Sequence, residues 1–409
     1  MPAPQGAAAD GGMFRSLRHR NARLFFLGLL VSSVGSWLQL TATSMLLYRL
    51  TGRAGELGVN AALQFLPMLL LGAWAGGLAD RVDRRRLMIG TQTALAAQAL
   101  VLACLELSGR TSIGSVYLLS LLLGIVGAID NPARRGLVTE LVPPADIPNA
   151  VSLNTAVMTG SRIIGPAVAA WLAGPLGIGW LFMANAISFA AIIGAAWAID
   201  PRSLHAPPPP RRGGQPVRDA LRFVAGHERL GPLLLVFAVV STFAFNHSVS
   251  LPALAGRRFG NDEAFGWLLS ATGVGSLTGA LLTARRQSVS MRWFLGCIVA
   301  LGLSSVAMSL SPNLAVAMAC AIPLGAGGAG FVSSANVILQ VEGPPEMRGR
   351  LMALTAVAFL GSTPLGGPVT GWVADHVSVG WSLAYGGLIS LAAAAWLALR
   401  LRPSGDVGV

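Results

Sequence analysis

The sequence predicts an all-α integral membrane protein, with twelve transmembrane helices in two pseudo-symmetric six-helix halves. Three observations predict it. The 409 residues are 54% hydrophobic and only 11% charged, whereas a soluble chain carries about 25% charge. Apolar runs of about 20 residues, enough to cross a hydrocarbon core, recur along the chain. Landmarks in the first set of runs return in the second.

The runs lie near 23–48, 56–79, 87–108, 113–133, 149–173 and 176–199, then near 230–255, 263–284, 292–311, 314–340, 349–374 and 380–400. The expected organisation is a basic cytoplasmic segment at 1–22, one half at 23–199, a linker at 200–229, a second half at 230–400 and a tail at 401–409. Residues 1–12 are small and polar and carry no helical pattern, and Met13 offers an alternative start to Met1. The first run is too long for a signal-peptide core and lacks an Ala-x-Ala site, so it reads as an uncleaved span. Within the linker, the proline run Pro207–Pro210 is followed by a short amphipathic pattern. Val217, Ala220, Leu221 and Val224 share one face, which predicts a helix lying on the inner membrane surface.

All 29 basic residues are arginine. With the N-terminus inside, 23 of them fall on the cytoplasmic side and 5 on the other, which orients both termini to the cytoplasm of a cell (inner) membrane. The net charge of +12 therefore follows membrane sidedness and does not indicate nucleic acid. Without lysine there is no Walker A motif and no pyridoxal Schiff base. No His-Glu-x-x-His or Cys-x-x-Cys occurs, and Cys104, Cys297 and Cys320 each sit in an apolar run as small hydrophobes. No metal, cofactor or enzyme chemistry is expected. The expected partners are the lipid bilayer and a small-molecule substrate, handled by a monomer.

The repeat is carried by Pro143-Pro144, Gly165-Pro166 and Gly179-Trp180 in the first half. Pro344-Pro345, Gly367-Pro368 and Gly380-Trp381 match them in the second. Halves related this way bind substrate between them near the midplane. The sharpest local feature is Gly76-Gly77-Leu78-Ala79-Asp80-Arg81-Val82-Asp83-Arg84-Arg85-Arg86, with six charges in its last seven residues. It must be a tight turn at a membrane face, and its two glycines are expected to let one helix approach another.

That turn resembles the loop 2–3 signature of the major facilitator superfamily, with Asp83 where the signature has glycine. Gly35-Ser36-Trp37-Leu38-Gln39, Gln64-Phe65-Leu66-Pro67, Asn131-Pro132-Ala133-Arg134 and Asn336-Val337-Ile338-Leu339-Gln340 are similar to one branch of it. That branch contains transmembrane secretion effectors such as enterobactin-exporter-like and macrolide-efflux-like proteins. The resemblance implies a secondary active exporter of a small organic molecule (drug, siderophore or secondary metabolite). It would work by alternating access with the proton gradient as energy source, by antiport. The alternative is a proton-coupled importer or facilitator on the same fold. Two departures weaken proton coupling. The fourth helix has no arginine between Tyr117 and Pro132, and Ser152, Ser161 and Ala169 replace glycines usual in the fifth.

The resemblance also implies a gating motif of Gly76, Asp80, Arg81, Arg84 and Asp130. Asp80 would latch onto the start of the eleventh helix near Gly349, and Arg84 would pair with Asp130. Apart from the resemblance, Arg162 stands halfway along the fifth run, where a charge costs at least ~3 kcal/mol. It reads as a substrate or counter-ion contact, or as a group bonded to neighbouring polar residues. Gln39, Gln64, Asn154, Asn246, His247 and Asn336 are the further cavity candidates. Each could equally serve as an interhelical hydrogen-bonding group. Gly165, Pro166, Gly367 and Pro368 are the expected helix-packing residues.

Overall fold

The computed structural model describes residues 14–205, 216–260, 263–286, 288–344 and 347–401. Among these residues the chain is helical without strands, and twelve segments are long and apolar enough to cross a membrane. The first half holds α1 (Arg20–Thr51), α2 (Ala54–Ala79), α3 (Arg84–Leu107), α4 (Ile113–Glu140), α5 (Ile147–Leu176) and α6 (Ile178–Ala198). A short helix, α7 (Pro216–Ala225), precedes the second half. There follow α8 (Leu230–Ala244), α9 (His247–Leu254), α10 (Glu263–Ala284), α11 (Met291–Ser309), α12 (Leu314–Glu342), α13 (Arg348–Leu360), α14 (Thr363–His376) and α15 (Val379–Arg400).

Two expected spans are not single helices. The seventh breaks between α8 and α9. There the Asn246 side chain donates to the Thr242 carbonyl at 2.8 Å, which draws it away from regular helix. The Asn246 carbonyl then accepts from the amides of Val249 and Ser250 and starts α9. The span closes on a π-helical turn, Ala255–Phe259. The eleventh breaks between α13 and α14 at Gly361–Ser362, just before Pro364, which has no amide to donate. Its counterpart α5 is continuous despite Pro166 and Pro175.

The fourth helix also runs further than its apolar stretch, to Glu140, so Arg134 and Arg135 are helical rather than in a loop. Helix α7 packs on α13 and α8, with Val224 buried and Leu221 exposed. The side chains of Val217 and Ala220, the run Pro207–Pro210, and residues 1–13 and 402–409 lie outside the described residues.

Within the first half, α1 packs on α5 and α6, and α3 on α4 and α6. In the second, α10 and α11 pack on α12, and α15 on α11 and α8. Stacked Phe237, Phe331 and Phe294, with ring centroids 5.1 and 5.3 Å apart, fill that half's core. Between the halves, α2 meets α14 and α5 meets α10. A pseudo-two-fold axis along the bundle exchanges these two pairs.

Candidate translocation site and gates

At the end of the molecule where α1 begins and α15 ends, α2 stops at Ala79 and the charged turn leads into α3. Asp83 caps α3, its carboxylate accepting from the Arg86 amide at 3.0 Å, so the residue that departs from the signature has a local job. Arg84 is the hub of the turn. Its guanidinium donates to Glu140 at 2.8 Å and to Asp80 at 2.8 Å. Gly136 leaves room for it, because a β-carbon there would lie 2.6 Å from Arg84 Nε. Arg85 donates to the carbonyls of Ala196 and Trp197 at the end of α6.

The expected pairing of Arg84 with Asp130 is therefore corrected. Asp130 accepts from Thr91 at 2.8 Å and Gln92 at 2.9 Å, and forms an ion pair with Arg134 one helical turn on, at 3.3 Å. Glu140 takes the Arg84 role because α4 continues about two turns past the point where its apolar run ends. Arg81 is exposed, and Asp80 is 53% exposed on its side chain. Gly76 and Gly77 do not bring helices together here, since a β-carbon at either would meet nothing within 4 Å.

The opposite end is closed tightly, and sequence reasoning missed the residues that do it. Asp375, at the end of α14, accepts from the amides of Ala54 and Gly55 at 2.9 and 2.7 Å, the first turn of α2. A carboxylate on a helix N-terminus is worth about 0.3–1 kcal/mol, and up to ~2 when partly buried. Arg257, beside the π-turn, pairs with Asp375 at 2.8 Å and donates to the carbonyls of Ala374 and Gly52. Glycine makes the approach possible: a β-carbon at Gly371 would sit 2.6 Å from the Ala54 carbonyl oxygen. Gly58 and Gly367 are likewise in backbone contact. The sequence signal was available, since Arg257 and Arg258 stand against the arginine bias of their side.

Between these ends, Arg162 lies in mid-α5, with its guanidinium carbon 5.4 Å from the centroid of the Trp37 ring on α1. Among the described residues it has no hydrogen bond or ion pair. His247 is the first residue of α9, in the other half. It is 7% exposed, and its Nε2 is buried without a partner. Asn336 on α12 and Asn60 on α2 carry buried, unpartnered Oδ1 atoms. Gln64 and Asn154 are half-buried.

Two cavity candidates are used elsewhere. Gln39 donates to Gln98 at 3.0 Å and accepts from Asn185 at 2.6 Å, clamping α1, α3 and α6 inside one half. Asn246 is the helix breaker described above. Of the packing residues, Gly165 sits against Trp37 and Val34 of α1, and the Pro166 carbonyl lies under Gly266 of α10. Beyond Arg162 toward the termini, the polar positions Ser152 and Thr155 of α5 are exposed.

Two broken and ten continuous spans among the described residues, in two pseudo-symmetric halves, make the fold of a transporter of the major facilitator type. The chain belongs to the transmembrane secretion effector family, whose model matches residues 11–407. It is similar to the staphyloferrin A transporter of Staphylococcus aureus, 24% identical over 63% of this chain and 64% of that one, so the match spans less than two thirds of that relative. It is also similar to macrolide efflux protein A of Streptococcus pyogenes, 24% identical over 88% of this chain and 91% of the relative. Among solved structures it shares its fold with a bacterial homologue of the human lysosomal transporter Spinster. That likeness has a TM-score of 0.68 at 15% identity, covering 94% and 96% of the two chains.

Proposed function

We propose that the protein exports a small organic molecule across the cytoplasmic membrane by alternating access, coupled to proton entry, with both termini inside. In this reading residues 23–199 and 230–400 rock against each other about the central site, and the segment 200–229 links them. The observation that carries it is the unequal state of the two ends. The end away from the termini is shut by Asp375, Arg257 and paired glycines. Toward the termini, Ser152 and Thr155 of α5 lie exposed, which supports an inward-facing state loaded from the cytoplasm. The names of the relatives, a siderophore transporter and a macrolide efflux protein, support a secreted organic cargo.

The test is uptake into membrane vesicles of both orientations under an imposed pH gradient, with a macrolide and staphyloferrin A as probes. Accumulation of a probe in inside-out vesicles, abolished by a protonophore, is the expected result. Accumulation in right-side-out vesicles only would reverse the direction, and uptake indifferent to the protonophore would remove proton coupling.

A further inference from the structure

We propose that the turn from α10 to α11 binds the phosphate headgroup of an anionic phospholipid, through Arg285, Arg286 and Arg292 and with Trp293 as the ordering group. This turn is the second copy of the charged turn between α2 and α3. Ala280-Leu281-Leu282-Thr283-Ala284-Arg285 repeats Gly76-Gly77-Leu78-Ala79-Asp80-Arg81, with Ala284 in place of Asp80. Ser288 then stands at the position of Arg84.

The two copies differ in how their arginines are neutralised. In the first, the partners come from the chain: Arg84 pairs with Asp80 and Glu140, Arg86 pairs with Asp83 at 3.7 Å, and Arg85 caps the end of α6. In the second, Arg285, Arg286 and Arg292 are exposed, and among the described residues none of them has an ion pair. Positive charge on one membrane face is general and by itself marks no site.

What marks this turn is order. The Arg286 guanidinium carbon lies 3.6 Å from the centroid of the Trp293 ring. Trp293 is itself held, because its indole Nε1 donates to Thr283 Oγ1 at 3.1 Å, and Thr283 is buried. Ser290 closes the turn, its hydroxyl oxygen accepting from the Trp293 amide at 3.3 Å. Stacking uses the face of a guanidinium, whereas its N–H groups lie in the plane and stay free. The stack therefore presents an oriented set of donors, which suits the oxygens of a phosphate.

The surroundings select a lipid over a soluble anion. Helices α10 and α11 each pack on α12, with no comparable contact between them. Gly330 of α12 lies against both, since a β-carbon there would sit 2.6 Å from Cys297 Sγ and 3.6 Å from Thr283 Oγ1. The cleft between the two helices thus has α12 as its floor and the Trp293–Thr283 bond across its end. Leu281 and Leu282, about one turn into the membrane from the arginines, are exposed and offer acyl chains an apolar wall. Tryptophan favours headgroup depth, and basic groups beside a span attract anionic headgroups. The lipid would supply the negative charge that Asp80 and Glu140 supply in the first half.

The test is native mass spectrometry of the full chain, titrated with dioleoyl-phosphatidylglycerol or dioleoyl-phosphatidylcholine. Phosphatidylglycerol should bind about 10-fold more tightly or better, the preference expected of a charged hydrogen-bonded pair. Arg286→Gln should remove most of that preference. Trp293→Leu, which leaves the charge unchanged, should lower it about 3-fold, the loss of one exposed cation–π contact. Arg18→Gln removes an exposed arginine elsewhere and should leave the preference intact.

Equal affinity for the two lipids would overturn the site. A loss in Arg18→Gln matching that in Arg286→Gln would do the same, because charge on the face would then suffice. Displacement of phosphatidylglycerol by an equal concentration of free glycerol phosphate would replace the lipid with a soluble anion. A second measurement needs no arginine variant: quenching of Trp293 emission by acyl-brominated lipid in nanodiscs, taken as the difference from Trp293→Phe. Brominated phosphatidylglycerol should quench more than brominated phosphatidylcholine, and equal quenching would contradict the proposal.

Discussion

Arg84, Glu140 and Asp130 carry the clearest lesson at the residue scale. With Arg134 they make four charged groups near one membrane face, and the chain sorts them into two separate pairs, Arg84–Glu140 and Arg134–Asp130. A double-mutant cycle should therefore show coupling between Arg84→Gln and Glu140→Gln. The coupling between Arg84→Gln and Asp130→Asn should be close to zero. Transport rates in vesicles would supply the values, and equal coupling in both cycles would refute the sorting. Gln39 yields a second prediction. Removing it as Gln39→Leu strands the buried amides of Gln98 and Asn185, at roughly 1–3 kcal/mol. The expected outcome is a lower melting temperature in detergent with substrate affinity unchanged, and a loss of affinity at constant stability would return Gln39 to the transport path. The sequence made Gln39 and Arg162 look alike, as polar residues inside apolar runs. Only packing separates a polar group satisfied within one half from one left open between two.

At the scale of elements, apolar length located all twelve spans, because a bilayer sets how many residues must be apolar. It did not reveal where the seventh and eleventh spans break. Those breaks depend on one side chain, Asn246, and one missing amide, Pro364, neither of which alters the hydrophobicity of its run. It also ended α4 early, because a helix can carry Arg134 and Arg135 beyond the hydrocarbon when Asp130 awaits one of them. The contact of α2 with α14 is the element on which the closed end depends. Gly371→Val should wedge it open, since the added carbons fall on the Ala54 carbonyl. Faster hydrogen exchange in the 52–57 segment is expected, because the Ala54 and Gly55 amides lose the Asp375 cap. Unchanged exchange there would mean the closure rests on other contacts.

For the whole molecule, one principle recurs at both ends of the same helix pair. Asp375 at the end of α14 caps the start of α2, and this holds the far end shut. Asp80 at the end of α2 is proposed to cap the start of α13 when the molecule faces the other way; here it is bonded to Arg84. The motif around Asp80 was legible from the sequence, because its charges interrupt two apolar runs. Asp375 was not, because one acid at the end of a span resembles any helix-end charge until its partner is in place.

The most direct test of two opposed latches is a pair of spin-label distances in a variant lacking Cys104, Cys297 and Cys320. One pair, at Leu107 and Leu310, spans the far end, and the other, at Arg86 and Arg292, spans the end near the termini. Asp375→Asn should lengthen the first distance and shorten the second, while Asp80→Asn should do the reverse or hold the molecule in the state described. Movement in the same direction for both substitutions, or no movement for Asp375→Asn, would contradict the account.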